Sequence, residues 1–144
     1  MEPELYRIVY CSRNLIAEQD EARDQNVDLE QILHTARENN KAVSVTGALL
    51  FNTEYFAQVL EGPRTAVEDI FERIQRDRRH SQVTVVDNGW AETRNFPDWA
   101  MAHVAQSPEV VPEGLANTLH VAMLRPHESG TEVLDLLKSL VVQD

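Results

Sequence analysis

The stretch Phe56-Ala57-Gln58-Val59-Leu60-Glu61-Gly62 leaves this chain few ways to fold. It reads as a strand, with Gly62-Pro63 after it opening a helix. Side chains alternate along a strand, so Gln58 shares a face with Phe56 and Leu60. An amide there has two N–H donors and a carbonyl to satisfy, and leaving them unpaired in an apolar layer costs about 1–3 kcal/mol. The rest of the chain must bring a partner to that face: a tyrosine hydroxyl, a backbone group or a bound ligand.

Taken in order, the chain reads as alternating strands and helices. Leu5 to Cys11 is a first strand, rich in β-branched and aromatic residues, with Tyr6, Ile8 and Tyr10 on one face and Leu5, Arg7, Val9 and Cys11 on the other. A polar loop from Ser12 to Val27 leads to a helix that Asp28 and Gln31 would cap, buried through Leu29, Ile32, Leu33, Ala36 and the polar Asn40. A second strand, Val43 to Phe51, is interrupted at Thr46-Gly47, and Asn52-Thr53-Glu54 makes a hairpin loop to the third, Tyr55 to Glu61. The second helix follows, with a capping pair at Thr65 and Glu68 and a stripe of Val67, Ile70, Phe71 and Ile74; Arg73 stands beside that stripe. Val83 to Val86 is a fourth strand, and Trp99 to Val104 a fifth, with Trp99 and Met101 on one face. Two further helices are expected in the tail, one after Pro112 with Leu115, Leu119, Ala122 and Met123, and one capped by Ser129 and Glu132 and carrying Val133, Leu134, Leu136, Leu137, Leu140 and Val141.

This order predicts an α+β, ferredoxin-like βαββαββ sandwich: a five-stranded, mostly antiparallel sheet with two helices on one face and the two tail helices on or near the other. Residues 1–104 form the domain and 105–144 a helical extension. Right-handed crossovers would make the first and third strands neighbours and put Tyr10 beside Gln58, with Asn40 and Arg73 reaching down from the two helices. Singly, each has a plainer role: a core tyrosine, a strand amide bonded to backbone, a helix-end asparagine, a surface arginine. Together, a phenol, two amides and a guanidinium around one space suit a flat heterocycle bearing carbonyls and ring nitrogens.

Other classes are bounded by what the chain lacks. A formal net charge of −11 argues against nucleic acid as a direct partner, and the short run Arg76-Asp77-Arg78-Arg79-His80 reads as a solvated helix end. No apolar run approaches the roughly 20 residues that span a bilayer. One cysteine, Cys11, excludes an intrachain disulfide and suits a reducing cytoplasm. His34, His80, His103, His120 and His127 show no metal-ligand spacing, and no Ser-His-Asp pattern or base beside Cys11 supports covalent catalysis. Five glycines, spread singly, exclude a Rossmann dinucleotide loop.

Leu5-Tyr6-Arg7-Ile8-Val9-Tyr10-Cys11-Ser12, Glu38-Asn39-Asn40, Val45-Thr46-Gly47-Ala48-Leu49, the Phe56–Gly62 stretch, Asp77-Arg78-Arg79-His80-Ser81 and Phe96-Pro97-Asp98-Trp99-Ala100-Met101 together resemble a BLUF domain, a blue-light sensor that uses flavin. The resemblance covers roughly residues 4 to 104, and the tail is similar to the two-helix extension of short stand-alone BLUF proteins. It implies FAD between the first two helices, with Tyr10 the electron donor, Gln58 the switching amide and Asn40 a hydrogen-bond partner of the ring. Arg73 matches a position that is arginine in some members and histidine in others, while Asn39, Arg79 and His80 match residues around the pocket. Trp99 and Met101 match a fifth-strand pair that relays the signal, a role set beside plain core packing.

What the resemblance implies is a photoreceptor without an attached catalytic domain. Light would drive proton-coupled electron transfer from Tyr10 to the flavin and rewrite the Gln58 hydrogen bond, giving a reversible red-shifted state passed to a separate partner protein. Val133, Leu137, Leu140 and Val141 would leave apolar surface exposed if not packed on the sheet, which would favour a homo-oligomer. Two other classes stay open at this point: a flavin-using or acylphosphatase-like enzyme on the same fold, and an adaptor with a vestigial pocket.

Overall fold

A computed structural model of the chain describes residues 5–15, 25–51, 55–78, 80–96, 102–105 and 115–141. Five strands, β1 (Leu5–Asn14), β2 (Thr46–Phe51), β3 (Tyr55–Pro63), β4 (His80–Trp90) and β5 (Ala102–Ala105), form one sheet in the order β4-β1-β3-β2-β5. All neighbouring pairs are antiparallel except β2 with β5. The helices are α1 (Gln25–Ala42), α2 (Arg64–Gln75), α3 (Leu115–Leu124) and α4 (Pro126–Val141). The expected α+β sandwich is therefore present, with β1 and β3 adjacent at its centre.

Both faces of the sheet are covered. On one, Tyr6, Ile8, Leu49, Phe56 and Leu60 pack with Val67 and Ile70 of α2 and with Ile32 and Ala36 of α1. On the other, Val9, Cys11, Ala48, Leu50, Ala57 and Val59 meet Leu119 and Ala122 of α3 and Val133 and Leu137 of α4. Central strands buried on both sides lose the polar–apolar alternation of a half-exposed sheet.

Local boundaries depart from the sequence expectations for identifiable reasons. α1 begins at Gln25, so Asp28 lies inside it and not at its start. α2 starts at Arg64 after Pro63, which makes no side-chain cap hydrogen bond, so Thr65 is within the first turn. α4 starts at Pro126; Ser129 sits inside it and donates from Oγ to the Arg125 carbonyl at 2.9 Å. In each case a Ser, Thr or Asp able to cap also tolerates the helix interior, and tertiary packing carries the helix past it. β4 is the reverse case: only Val83–Val86 has an apolar strand pattern, yet pairing with β1 extends from His80 to Trp90 through register shifts and a positive φ of 53° at Gln82. β1 runs on to Asn14, and β2 starts three residues later than expected, at Thr46. The expected hairpin loop at residues 52–54 lies outside the described residues, as do Arg79, Trp99 and Met101.

Candidate functional site

β1 and β3 position the central pair. Tyr10 and Gln58 are direct cross-strand partners, so their side chains leave the sheet side by side toward α1 and α2. The Tyr10 hydroxyl donates to Gln58 Oε1, and both residues are buried. This answers the demand of the strand amide: its carbonyl end is held by a phenol. Burial above all, with a smaller contribution from Cys11 and Asp77, pushes the Tyr10 pKa upward, so the phenol is a neutral donor throughout the physiological range.

Asn40 arrives from the last turn of α1. Its carbonyl accepts from the N–H groups of Val43 at 3.2 Å and Val45 at 2.9 Å, and Ser44 takes the left-handed conformation, φ 62°, to turn the chain into β2. That closure places the Asn40 side chain, fully buried, over the sheet.

Tyr10, Asn40 and Gln58 line an open-mouthed cavity between α1 and α2. Its walls are Ile32, Ala36, Leu49, Phe56, Ile70 and Ile74; Asn39 and Arg73, both exposed, stand on its lining with Thr35 and Asp77. Apolar walls with a phenol and two amides converging at the floor are the donor set a flavin ring calls for.

His80 also lines the cavity, but both ring nitrogens face protein atoms. Nε2 lies 2.6 Å from the Ile74 carbonyl, which can only accept, so Nε2 carries the proton in the neutral ring and Nδ1 accepts from Ser12 Oγ at 2.7 Å. The ring stands edge-on to Tyr10 and Phe56, with centroids 6.3 and 6.1 Å apart. In this arrangement His80 braces Tyr10 and joins the end of α2 to β1 and β4.

The structure thus gathers Tyr10, Asn39, Asn40, Gln58, Arg73 and His80 around one cavity. Arg79, Trp99 and Met101 fall outside the described residues. Sequence reasoning gave no role to Ser12, Asp77 or Glu61. Ser12 was findable, because period two puts it on the Tyr10 face. Asp77, beyond the end of α2, and Glu61, on the opposite face from Gln58, needed the folded chain.

Comparison with known proteins agrees with this geometry. The sequence model of one family, BLUF, described as sensors of blue-light using FAD, matches residues 5–102. Photoactivated adenylate cyclase subunit beta of Euglena gracilis is 37% identical over 81 residues, which are 56% of this chain and 9% of that protein. The dark-state structure of BlrB, a BLUF protein, superposes with a TM-score of 0.71 at 30% identity, covering 96% of this chain and 95% of BlrB. The photo-activated state of BlsA gives 0.73 at 24% identity, covering 97% and 96%, a likeness of fold.

Proposed function

The chain belongs to the BLUF family of flavin-binding blue-light sensors, and we propose that Tyr10 and Gln58 are its photoactive pair and that FAD is the flavin they serve. The observation that carries this reading is the hydrogen bond from Tyr10 to Gln58 Oε1 on the floor of the cavity. When bound, the flavin supplies absorption of blue light and an excited state that accepts an electron. The chain supplies the rest. Tyr10 gives up one electron and its hydroxyl proton and recovers both within the same cycle, so nothing is consumed. Its raised pKa keeps the proton in place until the electron leaves. Gln58 carries an acceptor end and a donor end on one neutral group, and exchanging them rewrites the hydrogen bonds at the ring without moving charge.

Asn40 holds the ring from the α1 side, and Arg73 and Asn39 reach the ligand from the rim. Arg79 is assigned to flavin binding with them, and His80 acts through Tyr10 and Phe56. Trp99 and Met101 relay the switched state, and the C-terminal extension passes it to a protein partner in trans. The chain spans only 9% of the photoactivated cyclase it matches, and the proposed role is sensing, with no chemistry turned over by the chain. No helix among the described residues is long and apolar enough to cross a membrane. A free, buried thiol at Cys11 supports a reducing compartment, the cytoplasm.

The deciding measurement is the absorption spectrum of the purified protein in the dark, just after a blue flash and during recovery. A structured flavin band that moves slightly to the red and returns is expected, and Gln58→Ala or Tyr10→Phe should keep the band and lose the shift. A protein that stays colourless after refolding with FAD would overturn the reading.

A further inference from the structure

The Tyr10–Gln58 contact joins β1 to β3 on the α1/α2 side of the sheet. Three residues along the same antiparallel register, Arg7 and Glu61 are partners as well, and their side chains leave toward the other side. Glu61 is fully buried, a costly place for a carboxylate unless donors surround it. They do. Arg7 donates from Nε at 2.8 Å and its Nη2 lies 2.7 Å away, both against Oε2. The N–H of Asn95 reaches both carboxylate oxygens, at 2.8 and 3.0 Å, and the N–H of Phe96 reaches Oε1 at 2.9 Å.

The turn at residues 94–96 therefore hangs on one side chain of β3. Arg94 strengthens the attachment by donating to Thr46 Oγ1 at 2.8 Å and to the carbonyls of Glu61 and Ser44 at 3.0 and 2.9 Å. Phe96 is fully buried in the core beneath α3 and α4. This turn connects β4 to the segment that leads into β5. Glu61 accordingly locks β3, three residues from Gln58, to the connection on the far side of the sheet.

We propose that Glu61 is a positioning residue of the photocycle: by pinning β3 to the 94–96 turn it sets how readily the switched Gln58 amide returns. The proposal rests on the reading of Gln58 as the switching residue. An amide that exchanges its ends must rotate among close-packed neighbours, and the barrier rises as those neighbours lose the small excursions that make room for it. A strand anchored by a buried, charge-assisted cluster is short of such excursions.

The test is dark recovery of the flavin-loaded full chain carrying Glu61→Gln. The substitution keeps size and one acceptor oxygen but turns an N–H₂ group toward the Arg7 guanidinium, setting donor against donor. The expected result is an unchanged dark flavin band, an unchanged red shift and a recovery roughly threefold faster or more. Recovery at the wild-type rate overturns the proposal. Should Glu61→Gln fail to fold, Arg94→Gln removes the second hold on the same turn and decides by the same readout. Val133→Ala, which loosens the core under α4 away from the turn, is expected to lower thermal stability and leave recovery unchanged; equal acceleration there would mean general softening and overturn the proposal. A wild-type protein that binds flavin but shows no shift would bring down the switching role of Gln58 and this proposal with it, a failure visible before any variant is made.

Discussion

Tyr10 and Cys11 are consecutive on β1, point to opposite faces and share one consequence of depth. Burial pushes the Cys11 thiol up to about 12 and moves Tyr10 upward as well. In the unfolded chain a thiol ionises near pH 8.5. As pH climbs from there toward 12, the unfolded chain releases a proton that the folded chain keeps, so stability falls with rising pH; Tyr10 adds to the loss with the same sign. The thermal midpoint of Cys11→Ala is therefore expected to decline less steeply than that of the wild type between about pH 9 and pH 11, with differential scanning calorimetry as the check. A parallel decline would show that the thiol does not contribute. At this scale much of the site was legible: Tyr10, Asn40 and Gln58 are chemically conspicuous because each puts a polar group on an apolar stripe, and the structure brings all three to one cavity. Glu61 was not legible, since a glutamate at a strand end ordinarily faces water. What hides it is a set of donors from residues 7, 95 and 96, which no local pattern reveals.

Hydrophobic periodicity located the elements and misjudged their ends. Stripes in α1 and α2 are borne out by the burial of Asn40, Val67 and Ile70 and the partial burial of Ile32 and Ala36. Starts marked by capping patterns came out wrong at Asp28, Thr65 and Ser129, because the same residue types also sit tolerably inside a helix. β4 was underestimated since pairing with β1, rather than apolar content, defines it. Gly47 is the sharpest element-level constraint. A Cβ built there would lie 1.9 Å from the Val59 carbonyl oxygen, so any side chain forces β2 away from β3. Gly47→Ala is expected to cost about 1–3 kcal/mol or more and to reduce flavin retention, because Leu49 and Gln58 face each other across that pairing. Urea denaturation and the flavin-to-protein absorbance ratio would check it; wild-type values in both would show that the strands can part without harm.

For the whole molecule, the decisive feature is that the tail helices complete a second core. Val133 and Leu137, which would leave apolar surface exposed only if not packed on the sheet, are fully buried against it, so they supply no argument for self-association. α4 approaches β4 closely at Gly130, where a Cβ would stand 2.7 Å from the Val86 carbonyl oxygen. From α3, His120 Nδ1 lies 3.0 Å from the Tyr55 hydroxyl, a tie between the tail and β3. Leu137→Ala is expected to destabilise by about 2–5 kcal/mol, as for other buried leucines. Chemical denaturation followed by tryptophan fluorescence would measure it, and a loss well under 1 kcal/mol would mean that α4 is dispensable to the core. The sequence by itself determined the kinds and order of the elements, the pairing of β1 with β3 at the sheet centre, and the polar residues that meet there, because periodicity and misplaced polar groups are local signals. Only the tertiary structure decided where helices and edge strands end, that His80 spends both ring nitrogens on protein groups, and that Glu61 is buried. Those outcomes depend on partners far away in the chain, and the free energy of a hydrogen bond or a buried side chain is set by what stands opposite it.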